Sequence, residues 1–450
     1  MANETRQLAA YAAALRYQDL PDAVVRRAKD CLIDTVAAIV FGHSQPAGRI
    51  AAAQMTAIGQ GGASRIIGGA GLVLRAECAA FANGVLAHAF ELDSLRKPGA
   101  GVHPGAVLVP AALAAAQEHG TGGRAVLAAL VAGCEVLFRV GKATKHTPET
   151  RGFHAPGLTG PFGAAVAVGH IAGLDADAMK NALGIAGSLA GGLLEFAKSG
   201  SGGMVKRLHL GRAAESGVLA ARLAANGFTG PDTVLEGAFG FLHAYCLETD
   251  IAALTEGLGE RYETLTLCLK RYPCHITAHT PVTAIMALRQ EHEFRPEDVR
   301  AVVVEGSAKM AELHANQAPR DLVLAQYSIP FCVAIALTGD PRDPERFSEA
   351  ALHDELVRVL CRRVEVRPAR DAQGWATTTR IELADGRRLE RHVAEFPGTP
   401  AQPMSDAERA EKFMRLTRRL GPAAAPLFDR LEIIEREDRL DWLGAVSANA

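Results

Sequence analysis

The sequence predicts a mainly α protein, with a large all-α helical domain at 1–265 completed by 400–450 and a smaller α+β domain at 266–399. Three observations carry this expectation. Alanine- and glycine-rich apolar segments of helical length recur at 76–90, 104–118, 124–141, 161–174, 178–196 and 211–226, where strand signals are scarce. Clusters of β-branched residues first appear beyond 266, as VRAVVVE (299–305) and VEVRP (364–368). After Pro400 the pattern turns helical again.

Taken in order, residues 5–42 read as two helices. Pro21-Asp22 starts the second, and Val24, Ala28, Leu32, Val36 and Val40 give it a stripe every four residues. Gly59, Gly61-Gly62 and Gly68-Gly69 mark 45–75 as loops. The stretch from Gly152 to Gly211 then organises the helical domain. It runs from Gly-Phe-His-Ala-Pro-Gly (152–157) through two apolar helices to the polar glycine loop AKSGSGGM (197–204), with Lys206, Arg207 and His209 at its exit. An interior glycine costs a helix roughly 1 kcal/mol relative to alanine. Such density is tolerated where backbones pack closely or a loop approaches a ligand. In the α+β part, TTRIELADGRRLERHV (378–393) is a hairpin with an Asp385-Gly386 turn, accompanied by helices at 278–291, 325–337 and 347–361. Ser405 and Glu408 set a capping box before the next helix, and a last amphipathic helix covers about 425–443.

A net charge of −2 over 450 residues leaves no electrostatic footprint for nucleic acid or an anionic membrane. Any positive charge must work locally. The eight cysteines are scattered without CxxC or Cys/His spacing, so neither a zinc site nor a disulfide framework is indicated. The N-terminus lacks a charged-then-apolar signal pattern and the apolar runs are interrupted, which makes the cytoplasm the expected location.

Chemistry concentrates at predicted helix starts. His88 lies on an alanine-rich helix that ends in Glu91-Leu92-Asp93-Ser94, and Val102-His103-Pro104-Gly105 opens the next helix. His154 precedes a helix in the same way, as do Lys206-Arg207-Leu208-His209 and Lys270-Arg271-Tyr272-Pro273-Cys274-His275. Taken singly, each has a bland reading: a solvated helix end, a loop histidine, a solvated Lys-Arg pair. As a set they suit a pocket of cations and helix N-termini that binds a di- or tricarboxylate. Histidine and lysine can also move a proton on and off carbon. Cys274 reads as a buried structural thiol rather than a nucleophile. No dinucleotide fingerprint, phosphate loop or nucleophile elbow is present.

The chain resembles the MmgE/PrpD family, which includes 2-methylcitrate dehydratase, cis-aconitate decarboxylase and iminodisuccinate epimerase. The matching stretches are NGVLAHAFELDS (83–94), VHPG (102–105), GFHAPGLTGPFGAA (152–165), ALGIAGSLAGGLLEF (182–196), KRLHLGRAAESG (206–217), GFTGP (227–231), EGAFGF (236–241) and KRYPCH (270–275), with ADGR (384–387) also similar. The resemblance implies a helical domain carrying a smaller α+β lid, an active site at their interface, a homodimer, and no metal or organic cofactor. It places His103, His154, Lys206 and Lys270 at catalytic positions, with Glu91, Asp93, Arg207, His209 and His275 as substrate-binding neighbours. Two departures stand out. Many members carry a second Asp and a Thr where this chain reads Asp93-Ser94-Leu95, and a tyrosine that some use appears as Phe331, with Tyr327 four residues away.

Chemistry shared across the family exchanges a proton at a carbon next to a carboxylate, which requires cations to stabilise the enediolate. The resemblance makes a 2-methylcitrate dehydratase-like hydro-lyase the first expectation. An iminodisuccinate epimerase-like isomerase or a cis-aconitate decarboxylase-like lyase is the alternative, and a non-catalytic polycarboxylate-binding relative is the reading of a different class.

Overall fold

A computed structural model describes residues 3–69, 71–198, 203–370 and 374–445. The protein is mainly α, and its described residues divide into two compact units. The first holds the chain up to Phe196, then Met204–Leu269, and closes with the stretch that starts at Ala407. The second is built on Lys270–Asp406.

The first unit is a stack of helices joined by close approaches. Helix Asp22–Gly42 buries the predicted stripe, with Val24, Leu32, Val36 and Val40 inaccessible to solvent. Helices Ala76–Ala87, Pro104–His119, Gly123–Ala143, Ala155–Ile171 and Val205–Ala225 pack against one another in the middle. Small residues set the spacing. A Cβ on Gly211 would stand 2.5 Å from the Phe81 carbonyl oxygen, and one on Gly217 would stand 2.2 Å from the Ala164 Cβ. Apolar burial of this kind, at roughly 25 cal/mol per Å², supplies the main driving force for folding.

Several boundaries differ from the sequence reading. The 45–75 stretch is not all loop: Pro46–Ile58 is helical, and Gln60–Arg65 pairs with Val73–Leu74. Pro46 starts that helix and Gly59 ends it, so the glycines are punctuation between elements. Helix Ala155–Ile171 begins six residues before the predicted 161, with Pro161 inside it. Helix Val205–Ala225 likewise begins six residues before 211, so Lys206, Arg207 and His209 ride on its first turns instead of preceding it. Ala176–Ser188 stops short of the expected 196 because the chain turns extended at Gly191-Gly192, where Leu193 bridges Phe153. Residues 199–202 of the polar glycine loop lie outside the described residues.

The second unit is α+β. Its four-stranded sheet runs in the order Val364–Pro368, Val299–Gly306, Thr377–Leu383, Arg388–Val393, the first pair parallel and the others antiparallel. The expected hairpin is present with Thr379 opposite Arg391 and Ile381 opposite Leu389. Gly386 takes φ +88° in its turn, a conformation glycine adopts without steric cost. Helix His279–Glu291 lies on the hairpin strands and packs on Ile329–Thr338. Two further helices, Glu349–His353 and Glu355–Arg362, stand where the sequence pattern predicts one over 347–361. Asp354 between them caps the second by accepting from the Val357 N–H.

Candidate active site

His103 is the N-cap residue of helix Pro104–His119, and His154 is the N-cap residue of Ala155–Ile171. Both positions follow from a proline in the first helical turn, which the backbone accepts there without losing a hydrogen bond. Ser94 supports the first of these helices. Its hydroxyl accepts the Gly105 N–H at 3.0 Å, and a Cβ at 105 would collide with that same hydroxyl and with Thr35. The departure at Ser94 therefore has a structural use in this chain.

Asp93 joins two imidazoles. Its Oδ1 lies 2.9 Å from His88 Nδ1 and its Oδ2 lies 2.6 Å from His103 Nδ1. The two rings meet edge to face at 4.9 Å. His88 and Asp93 are completely buried, and His103 is 9% exposed. Burial foremost pushes His88 down to about 3, outweighing the facing carboxylate, and Lys206 and His103 add to the shift. Asp93 lies well below the usual carboxylate range: burial pushes the other way, but its interactions with His88 and His103 prevail. The ionised Asp93 and the neutral His88 thus belong together.

The donor atoms of His88, Asp93 and His103 all lie within 4.8 Å of one another, which makes them the candidate metal ligands among the described residues. Ligands on a tetrahedral zinc with bonds of 2.0–2.1 Å stand about 3.3 Å apart. The 2.6 and 2.9 Å separations here are those of hydrogen bonds.

Glu91 gathers the cations. Its Oε1 accepts from Lys206 Nζ and, at 2.8 Å, from Arg207 Nη1. All three side chains are buried. Helix Val205–Ala225 also delivers His209, whose Nδ1 stands 2.9 Å from His154 Nδ1. One of those nitrogens must carry a proton and the other must accept it. Gly192, at φ +144°, lies against the His209 ring, where a Cβ would approach the imidazole to 3.3 Å. The neighbouring backbone pins His154, whose N–H donates to the Gly192 carbonyl at 3.0 Å. Burial above all, and then Lys206 and His209, hold His154 well below the ordinary imidazole range. Burial and Lys206 lower His209 as well. Lys206 therefore acts on His88, His154 and His209 together, and the ammonium belongs to the same cluster as the histidines.

The second unit carries Lys270 and His275. Lys270 is buried just past strand Leu267–Cys268. His275 stacks on His314 at 4.4 Å and on Tyr327 at 4.6 Å between ring centroids, and its Nδ1 reaches Thr277 Oγ1 at 2.9 Å. Tyr327 therefore contributes to the surroundings of His275, whereas Phe331 is core. Burial, against a hydrogen bond to the Tyr327 carbonyl, lowers His314 to about 4. Cys274 faces the other way and is completely buried, with Sγ 3.7 Å from His279 Nδ1.

The structure therefore brings together His103, His154, Lys206, Glu91, Asp93, Arg207 and His209 within the helical unit. Two partners escaped the sequence reading. The sequence gives His88 a place on a helix but no role, and nothing in it singles out His314. His88 stands five residues before Asp93, a spacing that pairs them only because the helix ends at Ala87 and the chain turns.

Known proteins point the same way. Residues 6–253 match the MmgE/PrpD N-terminal domain and residues 272–434 match the MmgE/PrpD C-terminal domain. A cis-aconitate decarboxylase of Aspergillus terreus (strain NIH 2624 / FGSC A1156) is 29% identical, covering 96% of this chain and 92% of its own length. The cis-aconitate decarboxylase of Homo sapiens is 26% identical over 89% of this chain and 84% of its own, and that of Mus musculus is 25% identical over 91% and 86%. With both halves matched in order, the chain belongs to the MmgE/PrpD family.

Proposed function

We propose that this chain is a cofactor-independent lyase that decarboxylates a small unsaturated polycarboxylate, with cis-aconitate as the first candidate. The observation that carries the reading is the buried cluster itself, in which Lys206 and Arg207 share one carboxylate oxygen beside the His88–Asp93–His103 and His154–His209 pairs. Two cations and two carboxylates balance within it. An incoming carboxylate can draw on Lys206 and Arg207, and charge-assisted hydrogen bonds of this kind are about twice as strong as neutral ones.

In the reaction, the carbon–carbon bond to the departing carboxylate breaks. Its electron pair passes through the adjacent double bond onto a remaining carboxylate, CO2 leaves, and a proton returns to carbon. Lys206 stabilises the enediolate charge that grows in this step. His103 and His154 handle the proton. Lys270 and His275 are assigned to the same chemistry through the family resemblance. The relatives' names favour decarboxylation over the 2-methylcitrate-type dehydration that the sequence reading placed first, while epimerisation would use the same carbanion.

Proton NMR in D2O with cis-aconitate, 2-methylcitrate and amino-dicarboxylate substrates separates these outcomes. Decarboxylation yields an unsaturated five-carbon dicarboxylate and CO2. Loss of water without CO2 would assign a hydro-lyase, and deuterium uptake at an α-carbon alone would assign an epimerase. Binding with neither product nor exchange would leave a non-catalytic polycarboxylate-binding protein and overturn the proposal. A homodimer is the assembly we propose, tested by sedimentation equilibrium.

A further inference from the structure

We propose that His88 and Asp93 are positioning residues that hold His103 in the tautomer protonated at Nδ1, leaving Nε2 as its proton-accepting atom. The inference rests on the proposed lyase reading for its catalytic consequence, but its structural content is independent of any substrate.

Geometry supplies the argument. Both oxygens of Asp93 are engaged by imidazole Nδ1 atoms, one from each ring. A carboxylate only accepts, so each Nδ1 must donate, and each neutral ring then has a bare Nε2. The orphaned atom in His88 strengthens this. His88 Nε2 is buried without a hydrogen-bond partner. With the proton on Nε2, His88 would bury an unsatisfied N–H and turn a lone pair towards the Asp93 carboxylate. Leaving a buried donor unmade costs about 1–3 kcal/mol. With the proton on Nδ1, neither penalty arises. The donor from His88 then takes up part of the Asp93 charge, so Asp93 polarises His103 less than an unshared carboxylate would.

Other ionisable and charged groups around the three residues come from each neighbouring element. Helix Asp22–Gly42 brings Cys31, whose Sγ is 3.5 Å from Ser94 Oγ, and Asp34, which is paired with Lys412 at 2.5 Å. Lys412 Nζ also donates to the Leu92 carbonyl at 3.1 Å. Helix Val205–Ala225 brings Lys206, Arg207 and His209, the first two held by Glu91, and helix Ala155–Ile171 brings His154. Arg96, two residues past Ser94, is neutralised by Glu263 at 2.6 Å. Among the described contacts, Asp93 is the carboxylate bonded to His103.

The test uses the full-length protein with 15N-labelled histidine, reading ring tautomers by long-range proton–nitrogen correlation, with the His103 signals identified by their loss in His103→Gln. The parent is expected to show His103 protonated at Nδ1, and Asp93→Asn should erode that preference. His88→Leu leaves Asp93 to accept from one imidazole alone, so the His103 Nδ1–H signal should move further downfield as that hydrogen bond strengthens. His88→Asn, which keeps a donor near the Nδ1 position, should return that signal towards the parent value. On the proposed substrate, Asp93→Asn should lower kcat about 10–100-fold with little change in KM. His88→Leu should change kcat while leaving KM near the parental value. A purely structural role would lower the folded fraction and leave the tautomer and the Nδ1–H signal in place. A parental His103 protonated at Nε2, or one unaffected in both His88→Leu and Asp93→Asn, would overturn the inference. If Asp93→Asn does not fold, the parental tautomer and the His88 pair still decide it. If no substrate turns over, the lyase reading fails while the NMR result stands on its own.

Discussion

Glu91 holds two buried cations, Lys206 and Arg207, on one oxygen atom. Removing one partner of a buried ion pair is costly because it strands the other charge, typically by about 3–5 kcal/mol. Glu91→Ala is therefore expected to destabilise the protein by about that much, with Glu91→Gln less severe, read from denaturant midpoints at constant m-value. Lys206→Ala leaves Glu91 its bond to Arg207, so its stability cost is smaller and its main effect falls on chemistry. Loss of one preorganised charge-stabilising group costs about 10²–10³ in kcat, and Lys206→Arg should recover only part of it, because a planar guanidinium does not replace a compact ammonium. His146→Asn is the control. His146 adopts φ 59°, which asparagine tolerates, and it belongs to none of the catalytic contacts described above. Equal losses in Lys206→Ala and His146→Asn would refute the assignment. The buried histidines make a further prediction. His88 and His314 titrate near 3 and 4 in the fold and His154 also lies well below its ordinary range, whereas in the unfolded chain each titrates near 6.5. Their neutral forms are fully accommodated above pH 6.5. As pH falls the unfolded chain binds protons first, and stability is lost at up to about 1.4 kcal/mol per pH unit for each histidine. Asp30, raised to about 6 chiefly by burial, works in the opposite sense over roughly pH 6 to 4, as one group against three. The melting temperature should accordingly fall between pH 6.5 and 4.5, and a flat profile would contradict the assignment.

At the scale of the element, the glycines of the central helices are fixed by their neighbours more than by their own conformation. Gly84 faces Gly211, where an added Cβ would come within 2.8 Å of the opposing Cα, and Gly217 faces Ala164. Gly217→Ala should gain about 1 kcal/mol of helix propensity. It must also force two helices apart, and overpacking typically costs about 1–3 kcal/mol or more where backbone must move. A net loss of stability is expected, measured by thermal or chemical denaturation, and a net gain would show that the helices separate freely. These elements also show where the sequence was legible. His103-Pro104 announces a helix start because proline in the first turn is a local signal, and His103 stands at the N-cap position; His154 reads as preceding a helix that the structure starts at once, at Ala155. Pro161 and Gly211 suggested starts that the structure places inside helices, since tertiary packing overrides local propensity. The pairing of His88 with Asp93 was not legible, because it depends on how the chain turns after Ala87 and no periodicity encodes that. Nor could sequence show that Lys206 and Arg207, more than a hundred residues from Glu91, meet on one of its oxygens.

For the whole molecule, the helical unit depends on its last stretch. Arg409 meets Asp30 at 3.0 Å and Glu432 at 2.9 Å, Lys412 meets Asp34, and Lys29 meets Glu435 at 2.8 Å. Phe413, Leu416, Leu427 and Leu431 are buried there, and helix Ala424–Glu432 packs on Asp22–Gly42. Ending the chain after residue 403 would uncover that apolar surface and leave Asp30 and Asp34 without these partners. The shortened chain should be recovered mainly in the insoluble fraction, and a soluble form that melts like the parent would show the closing segment to be dispensable. No described helix is long and apolar enough to cross a membrane.

The same arrangement sets a schedule during synthesis. Helix Asp22–Gly42 leaves the ribosome early, yet the residues that cover one side of it begin at Ala407, 365 positions after Gly42. At about 5–20 residues per second that interval is roughly 20–70 s. For that time an amphipathic helix with carboxylates at Asp30 and Asp34 waits for Arg409 and Lys412, while the whole of Lys270–Asp406 is made in between. The nascent chain carries an open seam until Ala407 and the residues after it arrive, so its exposure to holdase chaperones is set by the translation rate of the 365 positions in between.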